Sequence, residues 1–105
     1  MKNFILILIL FTSSFAFSQD ITVVHFNYEW NSSNGYEKLN KLTSAKVQYA
    51  YVEEQSKNLQ ATIKSVPTII IYKRDKPVAR FEAGLSMRIE VALEKLQEIV
   101  NKHKN

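Results

Sequence analysis

Few residues in this chain can do chemistry, and what is missing constrains function more than what is present. The 105 residues include no cysteine and only two histidines. Without a thiol the chain has no thiolate nucleophile, no thiolate metal ligand and no cysteine redox chemistry. His25 lies in an apolar run and His103 in a Lys102-His103-Lys104 tail, so no multi-histidine metal site is expected. The remaining polar cluster is Asn31-Ser32-Ser33-Asn34. An asparagine amide is neither a nucleophile nor a redox group at neutral pH. Ser32 or Ser33 would need a base within reach, and the sole candidate, His25, has no identifiable acid to orient it. A serine hydrolase is therefore not expected. Two other readings of the cluster are open. Its side chains suit a helix start, where they satisfy orphan N–H groups. They also suit a polar patch that binds an extended peptide or an anion. Asn31-Ser32-Ser33 matches a glycosylation acceptor, a triplet that is common by chance. His25 is read as a core histidine held neutral by burial, with pH sensing as its lesser role.

The elements that must position these residues follow from the chain in order. Residues 1–18 read as a secretory signal peptide: one lysine, an apolar run over 4–11, then small residues with Ala16 and Ser18 at the cleavage positions. The apolar segment is too short for an ordinary membrane span. The expected product is an exported, periplasmic or secreted, single domain of residues 19–105 with no stable membrane anchor. Removing Lys2 lowers the formal charge of +4 by one. The small surplus forms no basic stripe interleaved with aromatics, so no nucleic-acid partner is expected. No disulfide is available to staple so small a domain, so packing must hold it together.

Residues 21–28 (ITVVHFNY) lack clean alternation and suit a central strand covered on both faces. Asn34 followed by Glu37 fits a capping-box variant, and Tyr36, Leu39 and Leu42 then predict a helix of about three turns. Residues 47–52 alternate as a second strand. Ser56 is a candidate N-cap for a short helix carrying Leu59 and Ile63. Pro67 cannot donate a backbone hydrogen bond and belongs at or before the start of the strand 68–72, while Val66 is pushed towards extended geometry. Residues 73–76 make a turn, and 77–82 return as a hairpin partner. Ser86 is a candidate cap for an amphipathic helix carrying Ile89, Leu93, Leu96 and Val100. The order is β-α-β-α-β-β-α: an α/β fold with a four-stranded mixed sheet flanked by helices.

That order, with Val66-Pro67-Thr68 opening the third strand, resembles the thioredoxin family. Val24-His25-Phe26-Asn27-Tyr28-Glu29-Trp30 looks like the family's central strand leading into its active-site motif. Ile63-Lys64-Ser65-Val66-Pro67-Thr68 looks like the segment that ends in its cis-proline, and Tyr72 to Gly84 like its terminal hairpin. The departures are as informative. The family's paired cysteines would fall at Asn31 and Asn34, its buried acid at His25, and its usual first strand and helix have no room. The resemblance implies a minimal, cysteine-free, redox-motif-lacking thioredoxin-like domain without thiol-disulfide oxidoreductase activity and without a cofactor. It implies a cis Val66–Pro67 bond and a groove in which Val66 offers its main chain to an extended peptide or exported protein. Trp30 either flanks that groove or packs the following helix onto the sheet. Two alternatives accompany this non-catalytic binding module: a glutathione-dependent enzyme using Ser32 or Ser33, and a purely structural relic.

Overall fold

The computed structural model describes residues 20–104; the expected signal segment, residues 1–18, lies outside the described residues. Four strands form one sheet: β1 (Ile21–Asn27), β2 (Lys46–Tyr51), β3 (Thr68–Lys73) and β4 (Lys76–Glu82). The spatial order is β2-β1-β3-β4. β1 runs parallel to β2, with His25 opposite Tyr49. It runs antiparallel to β3, with His25 opposite Ile69. β3 and β4 form an antiparallel hairpin whose register shifts between Ile71 and Tyr72.

The absence of alternation in β1 has its explanation in two cores, one on each face of the sheet. Ile21 and Val23 point to one side, with Tyr36, Leu39, Leu42, Ile69, Ile71, Leu96 and Val100. Val24 and Phe26 point to the other, with Val52, Ile63, Val66 and Ile70. A strand buried on both faces has no polar side to show. Leu96 and Val100, four apart on α2 (Leu93–His103), close the first core. The second is closed beside α1 (Lys57–Thr62), which Ser56 caps by accepting from the Leu59 N–H at 3.2 Å.

Two helices differ from the sequence prediction. The expected helix after β1 is instead two short 3-10 turns, Glu29–Asn34 and Glu37–Lys41. Tyr36, Leu39 and Leu42 are all buried as expected, but residues three apart repeat with a 3-10 turn of three residues, not an α-turn of 3.6. Asn34 caps nothing; Tyr36 precedes the second turn. The last helix starts at Leu93 with Ala92 at its cap position, so Ser86 is not its N-cap. Ile89, Val91 and Leu93 are half-buried between exposed Arg88, Glu90 and Ala92. That period of two is extended chain, and the four-residue spacing from Ile89 to Leu93 fits both patterns. The loop before it holds Met87 at φ 60, uncommon for a residue with a side chain.

Candidate functional site

The chain leaving β1 builds a corner where three loops meet. Trp30 is 65% exposed and stacks on Tyr28, with ring centroids 5.7 Å apart and planes 13° from parallel. It does not pack a helix onto the sheet. Asn31, one residue on, is buried. Its Nδ2 reaches Asn27 Oδ1 at 3.1 Å, the Val66 carbonyl at 3.4 Å and the Met87 carbonyl at 3.4 Å. Asn27 Nδ2 donates back to the Asn31 carbonyl at 3.0 Å. Asn34 Nδ2 donates to Asn31 Oδ1 at 2.8 Å, and Arg88 Nε donates to Asn34 Oδ1 at 3.2 Å. One amide thus ties the turn after β1 to the loop before β3 and the loop after β4. The two Nδ2 hydrogens serve three acceptors, and the two loop contacts are long for hydrogen bonds.

The structure therefore brings Asn31, Asn34, Val66 and Pro67 together, with Trp30 on the outside. Val66 is buried, its carbonyl faces Asn31, and its N–H has no hydrogen-bond partner among the described residues. The Val66–Pro67 peptide bond is cis, and the Pro67 carbonyl accepts from the Ala83 N–H at 3.1 Å. Ser32 and Ser33 lie exposed within the first 3-10 turn and cap no helix. Asn27, Leu85, Met87 and Arg88 complete the corner, and sequence reasoning missed all four. Leu85 is fully exposed and Met87 is 43% exposed. Two large apolar residues close together in a loop after a glycine were the available signal.

His25 is buried in the sheet beside the corner. Its Nε2 accepts from the Tyr36 N–H at 2.9 Å, which places the ring proton on Nδ1. The ring packs at a tilt against Tyr49, centroids 4.9 Å apart. Burial lowers its pKa below the usual histidine value, against a smaller opposing effect of a backbone hydrogen bond. The free lone pair of the ring is thus committed to the backbone, and among the described residues no hydrogen bond joins Ser32 or Ser33 to His25, so no serine–histidine dyad is assembled. Among the described residues, no group of three or more His, Cys, Asp or Glu is placed to hold a metal ion, and no helix is long and apolar enough to cross a membrane.

No family model matches the sequence, and no curated protein matches it either. Solved structures do. A thioredoxin variant from Halobacterium salinarum superposes with a TM-score of 0.61 at 19% identity, over 83% of this chain and 77% of that one. The thioredoxin-2 of a malaria parasite gives 0.60 at 21% identity, over 86% and 89%. Fasciola hepatica thioredoxin gives 0.55 at 18% identity, over 82% and 83%. The chain has the thioredoxin fold. At these identities the likeness speaks for the architecture: the mixed four-stranded sheet and its flanking helices are those of a minimal thioredoxin fold that contains no cysteine. A thioredoxin fold without a thiol has no group of its own to attack or form a disulfide, and that absence argues against redox catalysis.

Proposed function

We propose that this protein is an exported, non-catalytic module that binds an extended stretch of polypeptide at the corner formed by Trp30, Val66-Pro67 and the loop after β4. The observation that carries the reading is that Trp30, Leu85 and Met87 stand exposed on the two loops that Asn31 ties to Val66, whose N–H is left without a partner among the described residues. Large apolar side chains on a rigid frame are the residue types that anchor interfaces. An unpaired main-chain donor beside them suits strand addition, in which backbone bonds give affinity and neighbouring side chains give selectivity. The amide network of Asn31 supports the reading from beneath, because it fixes three loops in one relation and so lowers the ordering cost of binding. Ser32 and Ser33 are spectators in this scheme.

The interface is small, so the affinity expected for an extended peptide selected on an array is about micromolar, roughly −8 kcal/mol. Trp30→Ala should cost about 2 kcal/mol or more of that, the scale of an aromatic anchor. Ser32→Ala should cost much less. Calorimetric titration of wild type and both variants, with folding checked by circular dichroism, makes the comparison. A folded Trp30→Ala protein that binds its peptides as wild type does would remove the corner as the binding surface.

A further inference from the structure

A concavity of about 570 Å³ opens at the carboxyl ends of the two parallel strands. Its base is formed by residues that face each other across β1 and β2: His25 opposite Tyr49 and Asn27 opposite Tyr51. Glu37, from the turn after β1, and Glu54, from the turn after β2, also line it. The space exists because the connection from β1 to β2 is made of short 3-10 turns rather than a long helix laid across the strands. Gly35 lets that connection pass close over the histidine: a Cβ there would stand 3.3 Å from the Ser32 carbonyl and 3.6 Å from the His25 ring. The carboxyl ends of parallel strands are where open α/β sheets hold ligands.

The chemistry of the walls selects the ligand. Tyr49 and Tyr51 are 47% and 37% exposed, an uncovered aromatic pair on one strand. The Tyr49 hydroxyl is tied down, donating to the Tyr36 carbonyl at 3.1 Å. Its pKa is raised first by burial and then by the negative charge of Glu37, which places that carboxylate's field at the tyrosine. His25 is neutral there, with its Nε2 taken up by a backbone N–H. The chain as a whole carries a formal charge of +4, yet neither Lys nor Arg lines the cleft. Aromatic rings with carboxylates beside them and no competing cation favour a planar organic cation, which stacks on the ring and hydrogen-bonds to the acids. We propose that this cleft binds a guanidinium group, seated against Tyr49 and Tyr51 and paired with Glu37 and Glu54. The group comes either from an arginine side chain of a polypeptide or from a free small guanidinium compound.

The test follows the tyrosine ring resonances of the purified protein by NMR during titration. The probes are Nα-acetylarginine amide, its neutral isostere Nα-acetylcitrulline amide, agmatine, and an arginine flanked by alanines in an acetylated tripeptide amide. The arginine probe should shift the Tyr49 and Tyr51 signals saturably, and the citrulline probe should not. The double variant Glu37→Gln, Glu54→Gln, which alters only exposed positions, should weaken binding about tenfold. Tyr51→Ala should weaken it about two- to fivefold, the scale of an exposed cation–π contact. Tighter binding of the tripeptide than of agmatine supports the proposal with a polypeptide as the source; equal or tighter binding of agmatine supports it with a small molecule. Equal responses to the arginine and citrulline probes, no shift at either tyrosine, or wild-type affinity in the double variant would each overturn it.

Discussion

Asn31 occupies the position that resemblance assigned to the first cysteine of a redox pair, and in the structure it is a fastener. Its buried amide faces the carbonyls of Val66 and Met87. Removing it leaves buried polar groups without a partner, which costs about 1–3 kcal/mol. Asn31→Ala should lower the unfolding free energy by that amount in urea denaturation. Asn31→Asp should also destabilise, because it turns a carboxylate towards carbonyl oxygens in a buried site. Ser33→Ala, at an exposed position, should stay within about 0.5 kcal/mol of wild type. The sequence marked Asn31 as a polar residue at a strand-to-turn junction but suggested a cap, because nothing in its neighbourhood announces a contact with Met87. His25 was legible as a buried neutral histidine, since it sits in an apolar run that becomes the central strand. Its pH effect has a definite sign. Burial holds the folded pKa below the ordinary histidine value of 6.5, so the unfolded chain binds the proton more readily. Stability should therefore be full above about pH 6.5 and fall as pH drops through the window between that value and the folded pKa, with a slope no steeper than about 1.4 kcal/mol per pH unit for one proton. His25→Gln should flatten the fall in urea midpoints measured between pH 7.5 and 5.5; an unchanged slope would assign it to other groups.

The strands were readable almost to the residue, because β-branched and aromatic runs bounded by polar turns have few other uses. β1 ends at Asn27, one residue before the expected boundary, and β3 runs one residue beyond it, to Lys73. The connections were less readable. The spacing of Tyr36, Leu39 and Leu42 gave the correct buried face and the wrong helix type, since a period of three serves a 3-10 turn as well as a short amphipathic helix. The start of α2 was placed too early because Ile89 to Leu93 fits a helix, whereas the burial of Ile89, Val91 and Leu93 fits extended chain. Ser56 was read correctly: its hydroxyl takes the Leu59 N–H. A helix of six residues has little stability of its own, so this cap matters. Ser56→Ala should cost about 1 kcal/mol, read as a lowered denaturation midpoint with the transition's cooperativity kept. A loss within error of zero would mean that Leu59 and Ile63 hold the helix by packing alone.

On the scale of the whole molecule, one sheet with a core on each face carries a thioredoxin fold in a chain that contains no cysteine. Fold and site chemistry are separable because most of both cores comes from the strands and α2, while the polar and exposed side chains of the corner come from loops that the sheet places. The order of elements and the Val66-Pro67-Thr68 corner made the fold legible. The corner itself was legible only in part: the sequence singled out Trp30, Val66 and Pro67, but the exposed Leu85 and Met87 come from a loop whose path no local pattern specified. Insulin reduction by the purified protein with a dithiol donor should not exceed the donor's own background, since the chain has no cysteine to exchange. The binding reading is tested most directly by the Val66 amide resonance during titration with an array-selected extended peptide. The predicted result is a large, saturable shift of that amide together with the Trp30 indole, and slowed hydrogen exchange at Val66 in the complex. Saturable binding that leaves both signals unmoved would contradict recognition at this corner.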